Sequence, residues 1–198
     1  MNSENEGILA QKDPILSEII SKVEKPIILS TGDVFHDLVS CIIEQQIHYR
    51  SSKRIFARAL ERSGIEHLTL ENFHLFEEHG LSQLKISARK YESVLSLIEF
   101  WGTNNLDFNK LTDEEVISQL SKIKGVGNWS MDMILLYTLQ RPCVFPSDDF
   151  HLKQVMTTLY GLNPNVKLKA QMLEIAEKWE NQKSLAVLYF LAWKNQKQ

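Results

Sequence analysis

The chain has 198 residues, 43% hydrophobic and 24% charged, with a formal net charge of −3. That composition excludes a disordered or fibrous protein, and the acidic balance excludes a surface coated in basic charge, so any nucleic-acid contact must be a local patch. Cys41 and Cys143 are the only cysteines, too few for a disulfide scaffold, an all-cysteine zinc site or a four-cysteine iron–sulfur cluster, and this usage points to the cytoplasm.

The opening MNSENEGILAQKD is acidic and polar where a secretory signal carries positive charge, so export is not expected. Asp13 then offers an N-cap with Pro14 in the first turn, and Ile15, Leu16, Ile19, Ile20 and Val23 form one apolar stripe that ends before Pro26. This is the first predicted helix. From Asp33 the residues Phe35, Leu38, Val39, Ile42 and Ile43 repeat the pattern until Glu44-Gln45-Gln46 breaks it. A third helix is predicted over Ser51 to Arg62 with Gly64 as its stop, and Arg50, Lys53, Arg54 and Arg58 make its polar side the densest basic cluster of the chain.

Ser87 to Trp101 reads as a helix with Tyr91, Val94, Leu95, Ile98 and Phe100 turned inward. Thr112 with Glu115 is a capping box, and Val116, Ile117, Leu120 and Ile123 form the stripe behind it. The apolar run Leu185 to Trp193 is shorter than the about 18 to 20 residues of a bilayer crossing and reads as a buried helix, so no membrane contact is expected. With proline and glycine scarce and grouped at element ends, the predicted class is all-α.

Two segments carry candidate chemistry. In IKGVGNWSMDMILLY, residues 123–137, Gly125-Val126-Gly127 turns the chain between two helices, and glycines there permit positive φ and a bare backbone. Amides at the start of the following helix suit a phosphate oxygen, with Lys122 and Lys124 beside them; a plain helix corner with glycine as C-cap is the alternative. In FPSDDFHLKQVM, residues 145–156, Pro146 and Ser147 open a helix, so Asp148 and Asp149 fall at its cap or first turn, where the helix field favours a negative charge by roughly 0.3–1 kcal/mol. Capping alone is the simpler use of those acids. His74 and His79 have no acid partner at metal-ligand spacing, so no zinc site is expected.

The order helix, GVG hairpin, helix, then proline and an aspartate opening the next helix resembles the helix-hairpin-helix (HhH-GPD) DNA glycosylase superfamily, which excises damaged bases. LVSCIIEQQIHYRSSKRIFARAL (38–60), ISARKYESVLSLIEF (86–100), KIKGVGNWSMDMILLYTL and SDDFHLKQ are similar to segments of its alkylated-base branch, the 3-methyladenine DNA glycosylase II type, and the likeness covers about residues 33–193. It implies a two-lobed helical fold with the active-site cleft between lobes: residues 33–111 as a middle lobe, and 1–32 plus 112–198 as a second lobe carrying the hairpin (about 112–139) and the catalytic acid.

The same resemblance makes Asp149 the catalytic carboxylate, with Asp148 the less favoured choice, and Gln46 the wedge that fills the gap left by the flipped base, flanked by Gln45 and Ile47. DNA contacts are implied at Arg50, Lys53, Lys124, Gly125, Val126, Gly127, Asn128 and His151. The base pocket is implied at Trp129, Tyr137, Asp148 and Trp193, because an electron-rich aromatic face attracts a cationic alkylated purine; core packing is the alternative for each aromatic. The C-terminal segment KSLAVLYFLAWK lacks the family's frequent tryptophan–arginine–serine run. Family members that also cut the strand carry a lysine where this chain has Trp129, so a monofunctional enzyme without lyase activity is expected. No cofactor is required; a monovalent cation, sodium or potassium, on the carbonyls of Ser121, Ile123 and Val126 is implied by the hairpin. The expected partner is double-stranded DNA containing a damaged base, bound by a cytoplasmic monomer, nucleoid-associated in a bacterium. The alternatives are a glycosylase for an oxidised or deaminated base and a noncatalytic hairpin module that only holds phosphate.

Overall fold

The computed structural model describes residues 3–28, 30–45 and 49–196, with residues 3 and 49–54 described by backbone alone. All regular structure among them is helical: α1 (Ser3–Lys12), α2 (Pro14–Lys22), α3 (Val34–Glu44), α4 (Tyr49–Arg62), the single turn α5 (Phe73–Leu75), α6 (Ala88–Thr103), α7 (Asp113–Leu120), α8 (Asn128–Met133), α9 (Phe150–Tyr160), α10 (Leu168–Ala176) and α11 (Lys183–Gln196). Wider π turns cover Phe76–Gly80 and Ile134–Thr138. No described helix is long and apolar enough to cross a membrane.

The helix starts follow from local chemistry. Asp13, Asp33, Ser87 and Thr112 each accept a first-turn amide through the side chain, and Glu115 completes the capping box on Thr112. Gly64, at φ +65, ends α4 as the pattern predicts, with Ile65 N donating to Leu60 O at 3.0 Å. α1 is a helix that the apolar pattern does not announce: its sequence SENEGILAQK is polar on nearly every side, and Leu9 is its one fully buried anchor.

The chain forms two compact units, Met1–Leu29 with Leu135–Gln198, and Ser30–Ile134. The hairpin therefore groups with α3 to α8, whereas the family resemblance places residues 112–139 with the chain termini.

In the unit holding the termini, α2, α9, α10 and α11 enclose Leu16, Met156, Met172, Trp179 and Phe190. Residues 184–190 of α11 are buried without interruption. Asp13 joins this core, 3% exposed. Its carboxylate accepts from Ile15 N (3.0 Å), Leu16 N (3.3 Å), the Tyr160 hydroxyl (2.6 Å) and the Trp179 indole N–H (3.0 Å). Four donors supply what water would otherwise give a buried charge. The Ser184 hydroxyl donates to Arg141 O and accepts from Val144 N at 2.9 Å, fixing the chain ahead of the aspartate segment to α11.

In the other unit α3 is buried along most of its length, with Phe35 edge-on to Trp101 (centroids 5.5 Å) and Phe56 edge-on to Phe76 (5.6 Å). The inward face of α6 is Ser93, Val94 and Leu97; Tyr91 and Leu95, predicted to point inward, are exposed. Ile117 of α7 is likewise exposed. The α6 helix is rotated because the hairpin occupies its serine face.

Candidate functional site

The hairpin is built against α6 and the end of α3. Gly125 has φ +88, and a Cβ there would lie 1.9 Å from Ser93 Oγ, so both conformation and space demand glycine. Gly127 differs: its φ of −105 is ordinary, it is the N-cap of α8, and a Cβ there would meet nothing within 4 Å. Of the two glycines, only Gly125 uses positive φ, and its bare face lies against Ser93, whereas Gly127 borders open space.

Two of the turn amides are committed internally. Lys124 N donates to Ser96 Oγ (3.1 Å) and Val126 N to Ile123 O (3.1 Å). The first bond of α8 runs from Met131 N to Gly127 O and no side chain of Gly127 caps that end, which carries the positive end of the helix. Lys124 Nζ lies 2.8 Å from Glu92 Oε2, and Lys122 donates to Gln119 Oε1 at 2.7 Å. Asn128 is exposed and Trp129 half-buried on α8.

Gln45, expected at DNA, turns instead to the protein. Its amide donates to Ser130 Oγ (2.9 Å) and to Gly125 O (3.4 Å). Lys90, on α6, donates to Ile43 O and Gln45 O, both at 2.6 Å, where the last carbonyls of α3 lack helical partners. Burial lowers the Lys90 ammonium from the usual lysine range, opposed by Glu44. Gln46 and Ile47 lie outside the described residues, as do the side chains of Arg50 and Lys53.

The aspartate segment lies in the unit with the termini. Asp149 is the N-cap of α9, 7% exposed, and its Oδ1 accepts from Leu152 N at 2.7 Å. Asp149 N donates to Pro146 O (2.9 Å), which clamps the cap residue from behind. Capping and a fixed, nearly buried carboxylate are thus one arrangement. Asp148 is not part of it: its oxygens meet Lys169 Nζ (3.1 Å) and Lys153 Nζ (3.5 Å), and the Lys169 bond first of all holds it below the usual carboxylate range. Asp148, expected at the base pocket, thus pairs with two lysines of the protein.

His151 accepts at Nδ1 from Lys194 Nζ, which also donates to Gln154 Oε1. Neither Lys194 nor Phe150, 63% exposed beside the cap, can be picked out by spacing, because their pairing depends on how α11 packs against α9. Tyr137 and Trp193 are half-buried in this unit. Tyr189 is 2% exposed core; its hydroxyl donates to Glu6 at 3.0 Å, and burial with that carboxylate pushes the phenol up to about 12.

The chain is similar to known proteins. The DNA-3-methyladenine glycosylase 1 of Schizosaccharomyces pombe is 27% identical over 169 residues, 82% of this chain and 72% of that protein. The crystal structure of a DNA-3-methyladenine glycosidase from Bacillus halodurans aligns with a TM-score of 0.72 at 28% identity, over 94% of this chain and 86% of that one. At 22% identity, a likeness of fold alone, the S. pombe 3-methyladenine DNA glycosylase in complex with abasic DNA aligns with a TM-score of 0.71 over 98% of this chain and 97% of that one. Residues 39–181 match the HhH-GPD superfamily of base excision DNA repair proteins. The chain belongs to that superfamily.

Proposed function

We propose that the protein is a monofunctional DNA glycosylase that hydrolyses the N-glycosidic bond of flipped-out alkylated purines, 3-methyladenine among them, and leaves an abasic site. The observation that carries this reading is Asp149: a carboxylate nearly removed from water and held in one orientation by Leu152 N. As the base departs with the bonding electrons, positive charge grows on the deoxyribose, and a preorganised carboxylate stabilises it more strongly than water would. Water then adds its oxygen to the sugar carbon and gives its proton to Asp149 or to solvent. Extruding the base costs a few kcal/mol, least at a damaged pair.

The hairpin from Ile123 to Asn128 serves as the phosphate contact in this reading, through amides and helix field without a sequence preference. The carbonyls of Ser121, Ile123 and Val126 suit a monovalent cation as oxygen donors; such an ion would add positive charge toward a phosphate. Trp129, where a Schiff-base lysine would stand, supports hydrolysis without strand cleavage. Trp129 in one unit, and Tyr137 and Trp193 in the other, are half-buried aromatic rings, each of a kind suited to a cationic base.

A panel of duplexes, each with one lesion, tests the reading. The expected result is free 3-methyladenine with strand scission only after alkali. Scission without alkali overturns the monofunctional assignment, and no free base from any duplex overturns the enzyme.

A further inference from the structure

The last turn of α11 reaches the first turn of α9. Lys194 Nζ bonds His151 Nδ1 and Gln154 Oε1 and lies 5.7 Å from the centroid of the Phe150 ring. An ammonium only donates, so His151 accepts at Nδ1, which leaves the ring proton of the neutral imidazole on Nε2. Asp149 is the N-cap of α9 and His151 stands in the first turn behind it, so the ammonium bonded to His151 sits at the end of the helix that Asp149 caps. Burial lowers Lys194 from the usual lysine range and the Asp149 carboxylate opposes that shift.

We propose that Lys194 is a specificity-determining residue that narrows the advantage of cationic alkylated bases at Asp149 and so admits neutral lesions beside them. The inference rests on the glycosylase reading above. A cationic base and the Lys194 ammonium compete for the same two attractions, the negative carboxylate of Asp149 and the π face of Phe150. Departure of the base adds a second bias. When the bond from the sugar carbon to the ring nitrogen breaks, its electron pair leaves with the base. A cationic base becomes neutral, whereas a neutral base becomes an anion whose developing charge a nearby ammonium stabilises. A permanent cation beside Asp149 therefore slows the first departure and speeds the second. The C-terminal turn of α11, outside the hairpin and the capped acid, thus extends the substrate range of the site.

The test compares single-turnover release of 7-methylguanine, a cationic base in the nucleoside, with release of hypoxanthine, a neutral one, from otherwise identical duplexes. Lys194→Gln removes the charge and keeps an N–H donor on a stem one atom shorter. It is expected to raise the ratio of 7-methylguanine to hypoxanthine rates by about tenfold or more, while Lys194→Arg holds the ratio within about threefold of the parent. Lys194→Met, which keeps the stem, is the second neutral variant, and thermal melting confirms that each variant is folded. An unchanged ratio in the folded neutral variants, or an equal fall in both rates, overturns the proposal and leaves Lys194 a packing residue. Release of neither base by the parent protein overturns the glycosylase reading itself, and this inference with it.

Discussion

Gln45 Nε2 donates to Ser130 Oγ at 2.9 Å across 85 residues of sequence, which fastens the end of α3 to the helix that follows the hairpin. Ser130 is 1% exposed, so its hydroxyl depends on protein partners. Gln45→Ala removes this donor and the weaker one to Gly125 O, and is expected to cost about 1–2 kcal/mol in denaturant unfolding. Faster amide exchange around residues 124–127 should accompany it. Exchange and stability equal to the parent would show that the tether does not hold the turn.

Gly125 and Gly127 should respond oppositely to a side chain. Gly125→Ala forces a Cβ into Ser93 at φ +88 and is expected to destabilise the fold by several kcal/mol. Gly127→Asp enters open space at an uncapped helix start, with the extended backbone an N-cap requires, so its melting temperature should equal or exceed the parent's. Its DNA affinity should nevertheless fall for every sequence, with the salt slope reduced by about 0.9 for each phosphate the hairpin no longer engages. An unchanged salt dependence in Gly127→Asp removes the hairpin from the DNA interface.

Asp13 is the acid whose loss should most damage folding. Asp13→Ala orphans the Trp179 indole N–H and the Tyr160 hydroxyl inside the core and removes the cap of α2. The expected loss is about 3–5 kcal/mol by urea denaturation, dominated by the unsatisfied donors rather than by the cap. A loss below about 1 kcal/mol would mean that water reaches those donors.

Helix caps are legible in the sequence because a cap is made within four residues. Asp13, Asp33, Ser87 and the Thr112 and Glu115 pair can each be read from spacing alone, as can the stop at Gly64. The face of α6 is not legible in this way, because Ser93 and Ser96 are buried or bonded for the sake of a hairpin about thirty residues later, which displaces Tyr91 and Leu95 to the surface. At the candidate site, the place after Pro146 singles out Asp148 and Asp149 together, and only the family resemblance chooses Asp149 between them. Lys90 on the α3 carbonyls, Gln45 on Ser130 and Lys194 on His151 do not stand out, since each joins residues more than forty positions apart whose charge or amide would otherwise suggest a solvent or DNA role.

Stability should fall as the pH drops below neutrality, and His36 is one identifiable cause. Its ring is 8% exposed, its Nδ1 accepts from Leu68 N at 3.0 Å, and it stacks on His67 at 4.3 Å between centroids. Burial first, and the His67 charge second, lower its pKa from the usual value. The unfolded chain therefore takes up a proton near pH 6.5 that the native state refuses. The contribution is complete above that pH and is lost as the pH falls from it toward the lowered native value. Urea midpoints from pH 8 to pH 5 should decline, and His36→Phe should flatten the decline while lowering stability throughout, because Leu68 N loses its acceptor. An equally steep decline in His36→Phe would assign the effect to other groups.

Asp149→Asn separates the two duties of the carboxylate. The amide oxygen can still accept from Leu152 N, so the cap of α9 survives and the melting temperature should stay within a few degrees of the parent. The charge is gone, and single-turnover base release should fall by about a thousandfold or more, as expected when a preorganised charge and its proton acceptor are lost together. Binding to lesion duplex should be retained or tightened, since a negative group no longer opposes the phosphate backbone. Asp149→Ala should lose the same activity and about 1 kcal/mol of stability besides, because the cap goes with the charge. Near-normal turnover in the folded Asn variant would leave Asp149 a cap and nothing more, and the reaction would have to be sought at another carboxylate.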